Sequence, residues 1–376
     1  MGDEADPTQR HRLTVSAGDL DDFGARLTAW LDERVSADHP PAVTVTGRPE
    51  SGGMSSTTIL FDAHWTVDGR AEGGSFVARM APEAAAFPVF PEYDLAAQFR
   101  VISEVGAASP VPVPPLVWLE ESAAPLGTPF FVMRRVDGVV PADNPPYVFV
   151  GWLFDATPEQ RAEVGKATVD VIADVHAIPH AEARFGLPSG PGQPLRRHVR
   201  AQRAWYDWAL ADDGYHIPII ERAFDWLDAN WPADPGPAVL CWGDARPGNI
   251  IWEEWRPLAV LDWEMAAIVP REVDLGWIIF IHRFFQDIAE RFEQPGLPDF
   301  LRRADVVARY ESRTGHTVRD LDFYLVYAAL RHAIVMARIK RRMIHFGEDT
   351  DTADRDDYVM HRASLEALLD GTYRWE

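Results

Sequence analysis

The sequence predicts an α+β fold in two lobes, a β-rich N-terminal lobe over residues 1–137 and a mostly helical C-terminal lobe over residues 138–376. Three observations predict it. Strand-like apolar runs punctuated by glycine turns crowd the first 137 residues, with one helical stretch among them. Past Gly138 the apolar spacing becomes helical. One short β interruption, over residues 238–262, breaks that helical half.

The elements follow in order. Ser16 and Asp19 form a capping box for a first helix over 19–35, in which Leu20, Phe23, Leu27, Trp30 and Leu31 share a face until Pro40-Pro41 stops it. Residues 43–46, 57–67 and 75–80 read as strands, with Ser51-Gly52-Gly53 as the first turn and glycines 69, 73 and 74 around the second. A helix over 92–105 follows, carrying Leu95, Phe99 and Ile102 on one side. Residues 116–119 and 130–136 complete a five-stranded sheet with one inserted helix. A hinge is expected near 134–141, and the proline-rich stretches 110–115 and 141–146 read as connectors. Thr157-Pro158-Glu159-Gln160 combines a cap, a first-turn proline and a capping-box partner, opening a helix that runs to Pro179. Further helices are expected near 194–211, 217–230, 272–285, 299–313, 318–345 and 354–370.

Composition narrows the function classes. A content of 47% hydrophobic and 25% charged residues is that of an ordinary globular protein. The formal net charge of −22 argues against nucleic acid or anionic membrane surfaces as partners. One cysteine, Cys241, excludes an intramolecular disulfide, and neither a signal-like N-terminus nor a bilayer-length apolar run is present, so a cytoplasmic setting is expected. The only lysines are Lys166 and Lys340, so any positive group needed in the first 165 residues is an arginine.

The chemistry concentrates in Val239-Leu-Cys-Trp-Gly-Asp-Ala-Arg-Pro-Gly-Asn-Ile-Ile251 and in Leu261-Asp262-Trp263-Glu264. Phosphoryl transfer needs a carboxylate to orient the attacking hydroxyl and take its proton, which Asp244 offers from a loop after a strand. It also needs hard oxygen donors for a magnesium ion that bridges the phosphates; the amide of Asn249 and the carboxylate of Asp262 supply them. A β-hairpin from Asn249 to Asp262, turning near Glu253-Glu254, brings these two together. An Asp five residues before an Asn is common, but the ordered set of strand, Gly-Asp-x-x-x-x-Asn, hairpin and Leu-Asp is rare.

These segments resemble the catalytic loop and metal-binding segment of the aminoglycoside phosphotransferase and choline kinase superfamily, whose fold is protein-kinase-like. The resemblance spans roughly residues 20–345 and is strongest over 239–277. It implies a magnesium- and nucleotide-dependent kinase, using ATP or GTP, that phosphorylates a hydroxyl of a small molecule. Ser51, Gly52, Gly53 and Ser55 then fall where a nucleotide-covering loop belongs; without the resemblance the glycines read as a hairpin turn. Where the family has a third-strand lysine paired with a glutamate, this chain has Arg79 and Gln98. Arginine still offers a bidentate grip on phosphate. Where the family has histidine two residues before the catalytic aspartate, Trp242 stands as a structural substitution.

Trp-Gly-Asp-Ala-Arg followed by Asp-Trp-Glu-Met resembles a subgroup that includes kinase-like domains fused to acyl-CoA dehydrogenases. There Arg246 would lie beside the reacting phosphoryl group, or would pair with a nearby carboxylate. By the same resemblance His176 braces the catalytic loop and Asp274 anchors it. The acceptor is less legible. Trp205, Tyr206, Trp208, Trp226, Trp231, Phe280, Phe284 and Phe285 read as core or as the wall of an apolar pocket. The cluster Arg338-Ile339-Lys340-Arg341-Arg342 reads as helix-end charge with surface solvation, or as a seat for an anionic group. The competing classes are a nucleotide-binding pseudokinase acting as a regulatory module and a metal hydrolase built on Asp244, Asp262 and Glu264.

Overall fold

The computed structural model describes residues 17–49, 56–82, 87–189, 192–211, 214 and 216–375, with the side chains of 17–21 set aside. The chain divides into two units. One takes the described parts of 1–52, 56–81 and 117–135; the other takes the described parts of 82–116 and of the chain from 136 onward. The strand-rich beginning and helical remainder of the predicted α+β plan are both present.

In the first unit, helix α1 (Ala17–Asp32) precedes an antiparallel sheet of β1 (Ala42–Gly47), β2 (Thr57–Val67), β3 (Arg70–Met80), β4 (Leu116–Glu120) and β5 (Phe130–Arg134). The strand order is β1-β2-β3-β5-β4. The expected α1 cap, Ser16, lies outside the described residues. Leu27, Trp30 and Leu31 pack on Phe61, Phe76 and Phe130 of the sheet. Trp30 donates its indole N–H to Glu120 at 2.9 Å, and the Arg34 guanidinium joins the same carboxylate while lying over the Trp30 ring. Glycines 73 and 74 belong to β3, which pairs with β2 as far as the turn at Asp68-Gly69. The third strand is thus longer than the sequence suggests, because cross-strand pairing outweighs the low strand propensity of glycine.

The inserted helix, α2 (Leu95–Ala108), groups with the second unit. It starts three residues later than expected because Asp94 caps it, accepting from the Ala97 N–H at 2.7 Å. The helices that follow are α3 (Trp152–Asp155), α4 (Pro158–His176), α5 (Ala181–Phe185), α6 (Pro194–Ala209) and α7 (Pro218–Ala229). At the start of α4 both halves of the Thr157–Gln160 capping box form. Strands β6 (Ala238–Cys241), β7 (Ile250–Glu253) and β8 (Arg256–Val260) make the β interruption. The β7–β8 hairpin turns at Glu254-Trp255, both with positive φ (44° and 67°), which matches the right-handed strand twist. An additional strand, β9 (Ala267–Pro270), pairs antiparallel with β6.

Helices α8 (Glu272–Arg291), α9 (Arg303–Thr314), α10 (Leu321–His345) and α11 (Arg362–Leu369) complete the chain. The single helix expected over 354–370 is instead a 3₁₀ turn at Arg355–Tyr358 followed by α11. The break falls where the His361 imidazole turns inward to the Ala329 carbonyl, 2.9 Å away.

The arginines at the end of α10 are not a solvated patch. Arg338 and Arg341 are 5% and 8% exposed. Arg341 donates to the Ala209 carbonyl at the end of α6, and Arg338 to the Pro88 carbonyl, at 2.8 and 2.9 Å. Arg338 also lies between the Phe87 and Trp208 rings. Their charge satisfies another helix's terminal carbonyl, a tertiary use that spacing does not reveal. Of the aromatic set, Trp205, Tyr206, Phe280 and Phe284 are buried core.

Candidate active site

Strand β6 delivers the chain to Trp242-Gly243-Asp244, and Asp274 in the first turn of α8 holds that turn. Its carboxylate accepts from the backbone N–H groups of Trp242 (2.7 Å) and Gly243 (2.9 Å). The His176 Nε2 lies 3.1 Å from the same carboxylate, and its Nδ1 lies 2.7 Å from the Tyr310 hydroxyl. The bracing roles that the resemblance implied for His176 and Asp274 are therefore structural facts. Gly243 has φ +95°, and a Cβ there would lie 2.1 Å from the Met265 carbonyl oxygen, so only glycine fits. His176, Cys241 and Asp274 have ligand atoms within 4.8 Å of one another. They form a hydrogen-bonded brace, not a metal site: both Asp274 oxygens are engaged, and burial, followed by the Asp274 charge, pushes the Cys241 thiol well up.

Asp244 is held on both oxygens. Its Oδ1 accepts from the Trp277 indole N–H at 2.7 Å. Its Oδ2 accepts from the Asn249 amide at 2.7 Å and from the Arg246 Nε at 3.1 Å. Asn249 also donates to the Asp244 backbone carbonyl at 3.0 Å. Both donations leave from the side-chain amide nitrogen, and the side-chain oxygen Oδ1 accepts nothing among the described residues. Arg246 forks onto a second carboxylate, Asp143, at 2.6 and 3.0 Å. Burial works against its charge, but Asp244 and Asp143 outweigh it and raise its pKa well above the ordinary arginine value. Gly248 leaves room for this pair, since a Cβ there would meet the guanidinium at 2.5 Å and Asp143 at 3.1 Å.

The segment that carries Asp262 arrives on the hairpin. Leu261 donates its N–H to the Asn249 carbonyl at 2.8 Å, so Asp262 sits one residue beyond the partner of Asn249. Asp262 has φ 60°, a left-handed conformation that aspartate tolerates better than most residues. Buried Trp242 donates to the Leu261 carbonyl at 2.8 Å and packs on Trp263, with ring centroids 5.9 Å apart. This is the packing and single donation expected of a tryptophan standing in for the histidine.

Asp244, Arg246 and Asn249 are in direct contact, with Asp262 two residues beyond the end of β8 and next to Leu261, which bonds the Asn249 backbone. Arg79 lies on β3 opposite Phe131, in the sheet unit. Gln98 is buried on α2, in the helical unit. Ser51, Gly52, Gly53 and Ser55 lie outside the described residues. Three residues at Asp244 escaped sequence reasoning: Asp143, Trp277 and Arg331. Arg331 donates to the Gly243 carbonyl at 3.0 Å. Trp277 falls inside the Pro270–Trp277 segment that follows Asp262, with no role of its own, and Asp143 falls in a stretch that reads only as a connector.

Comparison with known proteins gives the family. Acyl-CoA dehydrogenase family member 11 of Gallus gallus is 30% identical over 241 residues, covering 63% of this chain and 28% of that protein. The chain spans about a third or less of the length of the curated relatives it matches. Among solved structures, one from Ralstonia eutropha JMP134, provisionally named an aminoglycoside phosphotransferase, aligns with TM-score 0.62 at 22% identity, covering 93% of this chain and 97% of that one. A thermostable mutant of aminoglycoside phosphotransferase APH(4)-Ia, in a ternary complex with AMP-PNP and hygromycin B, aligns with TM-score 0.54 at 17% identity, covering 92% and 97%. At these identities the structures show the fold. A sequence model described as the phosphotransferase enzyme family (APH) matches residues 51–307, well over half of the chain, and the chain belongs to that family.

Proposed function

We propose that this chain transfers the terminal phosphoryl group of ATP or GTP to a hydroxyl of a small molecule, with magnesium as the cofactor. The observation that carries the reading is Asp244, a carboxylate fixed by three donors within hydrogen-bonding distance of an asparagine whose side-chain oxygen is uncommitted among the described residues. That donor chemistry fits magnesium, which takes hard oxygen ligands; Asn249 and Asp262 would hold it. When bound, the ion would neutralise charge on the phosphates.

The chain's own residues do the rest. Asp244 orients the acceptor hydroxyl and takes its proton as the oxygen–phosphorus bond forms. Arg246, steered by Asp143, places a fixed positive charge beside the transferred group. Arg79 and Gln98, with Ser51, Gly52, Gly53 and Ser55, are the proposed nucleotide contacts of an N-terminal lobe spanning 1–137. The catalytic and acceptor-binding groups belong to 138–376.

The acceptor is an aminoglycoside-like molecule or a hydroxy acid or hydroxyacyl compound. The acyl-CoA dehydrogenase names of the curated relatives favour the second. A net charge of −22 supports neither nucleic acid nor an anionic membrane as partner. No helix of the described residues is long and apolar enough to cross a membrane, and a cytoplasmic location is proposed with it.

The test is a screen for phosphorylated product over hydroxy acids, hydroxyacyl thioesters and aminoglycosides, with magnesium and either ATP or GTP. Asp244→Asn should lower turnover on any productive acceptor by about 10²- to 10⁴-fold. Equal turnover by wild type and variant would overturn the proposal, and nucleotide binding with no product from any acceptor would favour the pseudokinase reading.

A further inference from the structure

The Asp244 carboxylate has four in-plane acceptor positions, two on each oxygen. Oδ2 receives two donors, Asn249 and Arg246, and is filled. Oδ1 receives one, the Trp277 indole N–H. One position therefore remains, on Oδ1, and its direction is set by where Trp277 stands.

Trp277 is itself held from behind. It is 3% exposed on α8, and the Arg331 guanidinium of α10 lies 4.6 Å from its ring centroid. Arg331 is 1% exposed, and among the described residues its one hydrogen bond runs from Nη2 to the Gly243 carbonyl. Its Nε and Nη1 are buried with no partner, and among the described residues no carboxylate pairs with it. An uncompensated buried charge is expensive, so its place under an indole that donates to a carboxylate calls for a reason. A cation on the face of an indole draws electron density from the ring and makes its N–H a stronger donor. The same guanidinium fixes the carbonyl one residue before Asp244.

We propose that Trp277 and Arg331 form a positioning pair for the Asp244 carboxylate, which leaves Oδ1 as the atom that receives the acceptor hydroxyl. Neither residue touches the acceptor; each acts through Asp244. The kinetic consequences rest on the phosphotransferase reading, whereas the hydrogen bond itself does not.

The experiment has two arms. Trp277→Phe keeps the ring and removes the N–H; Arg331→Met removes the charge and Arg331→Lys returns it. Each of the first two should lower kcat about 10- to 100-fold, with KM for acceptor and nucleotide within about two-fold, and Arg331→Lys should recover part of the loss. The double variant should be no slower than the slower single variant. The second arm follows the indole ¹⁵N–¹H resonances of the 14 tryptophans, assigning Trp277 by its loss in Trp277→Phe. That resonance should lie downfield in wild type and move upfield in Asp244→Asn and in Arg331→Met, while the other resonances report an intact fold. Additive kinetic losses, or a Trp277 resonance unmoved by Arg331→Met, would overturn the proposal. If no acceptor is ever turned over, the kinetic arm falls with the phosphotransferase reading and the resonance arm still decides this one.

Discussion

Replacing Asp143 with asparagine removes the outer partner of a guanidinium that reaches the base through its inner face. The wild-type pair is bidentate, at 2.6 and 3.0 Å, with the Arg246 side chain 15% exposed and that of Asp143 36% exposed. Breaking a fully buried pair from one side costs about 3–5 kcal/mol, and an exposed pair contributes under about 1 kcal/mol. The intermediate exposure here, with Asp244 still beside Arg246, places the loss at about 2 kcal/mol. At about 2–4 °C per kcal/mol for a chain of this size or somewhat smaller, the melting temperature should drop by about 5 °C. Activity should suffer more than stability. Without Asp143, Arg246 has one carboxylate left, and its second contact becomes a tighter grip on Asp244, the proposed proton acceptor. Turnover should fall at least about tenfold, since that change costs the base a transition-state interaction of about 1.4 kcal/mol or more. A cycle of Asp143→Asn, Arg246→Met and the double variant, read by calorimetry and by product formation, separates the pair from its parts. Strict additivity, or Asp143→Asn with unchanged melting and turnover, would refute the claim that Asp143 steers Arg246.

Two further outcomes follow from the same geometry. Gly243→Ala places a methyl 2.1 Å from a backbone carbonyl at φ +95° and should abolish turnover with a large loss of melting temperature. Gly248→Ala meets only side-chain ends, those of Arg246 and Asp143, and should fold while losing turnover; equal behaviour of the two would contradict the placement of the loop. Buried histidines set the pH limit. Burial lowers His282 to about 3, His361 to about 4 and His332 well below its ordinary value. Each folded pKa lies below the unfolded value near 6.5, so the unfolded chain binds protons that the folded chain refuses. Their stabilisation is complete above about pH 6.5 and is lost as pH falls from there towards 4, at about 1.4 kcal/mol per pH unit for each. Melting scans should show this decline, and His361→Gln should flatten it by one proton's share; a melting temperature constant from pH 6.5 to 5 would rule it out.

The parts of this site that are legible in the sequence are those where neighbours in the chain are neighbours in space. Asp244 and Asn249 touch across a turn five residues long, and Thr157 and Gln160 close a capping box within one helical turn. The hairpin follows from alternation, and its turn falls beside the two glutamates that mark it in the sequence. The residues that tune Asp244 come from much farther away: Trp277 from 33 positions, Arg331 from 88 to reach Gly243, and Asp143 from 103 to reach Arg246. No local periodicity marks such partners, because Trp277 and Arg331 sit on helices whose own pattern is satisfied without them and Asp143 sits in a connector. The same reason hid β9, four residues long, whose pairing with β6 exists only once the hairpin between them has folded.

The distant partners nonetheless share a logic that elementary electrostatics supplies. An aspartate that is to be correctly turned at the end of a strand needs donors on both oxygens, and a six-residue loop provides only Asn249 and Arg246, both on Oδ2. The missing donor on Oδ1 must come from a separate element, and a neutral one suits the proposed proton acceptor, because a second cation in contact would pin it too tightly. An indole meets both demands: it donates once, carries no charge, and is rigid when buried. Placing the cation one layer back, as Arg331 behind Trp277, keeps its field without its contact. Asp274 does the converse one residue upstream, a carboxylate spent wholly on backbone N–H groups and His176, so that the turn is rigid before any ligand arrives. The loop is thereby held by an anion at its backbone and by a shielded cation behind its side chain, with one acceptor position on Asp244 left for the proposed hydroxyl.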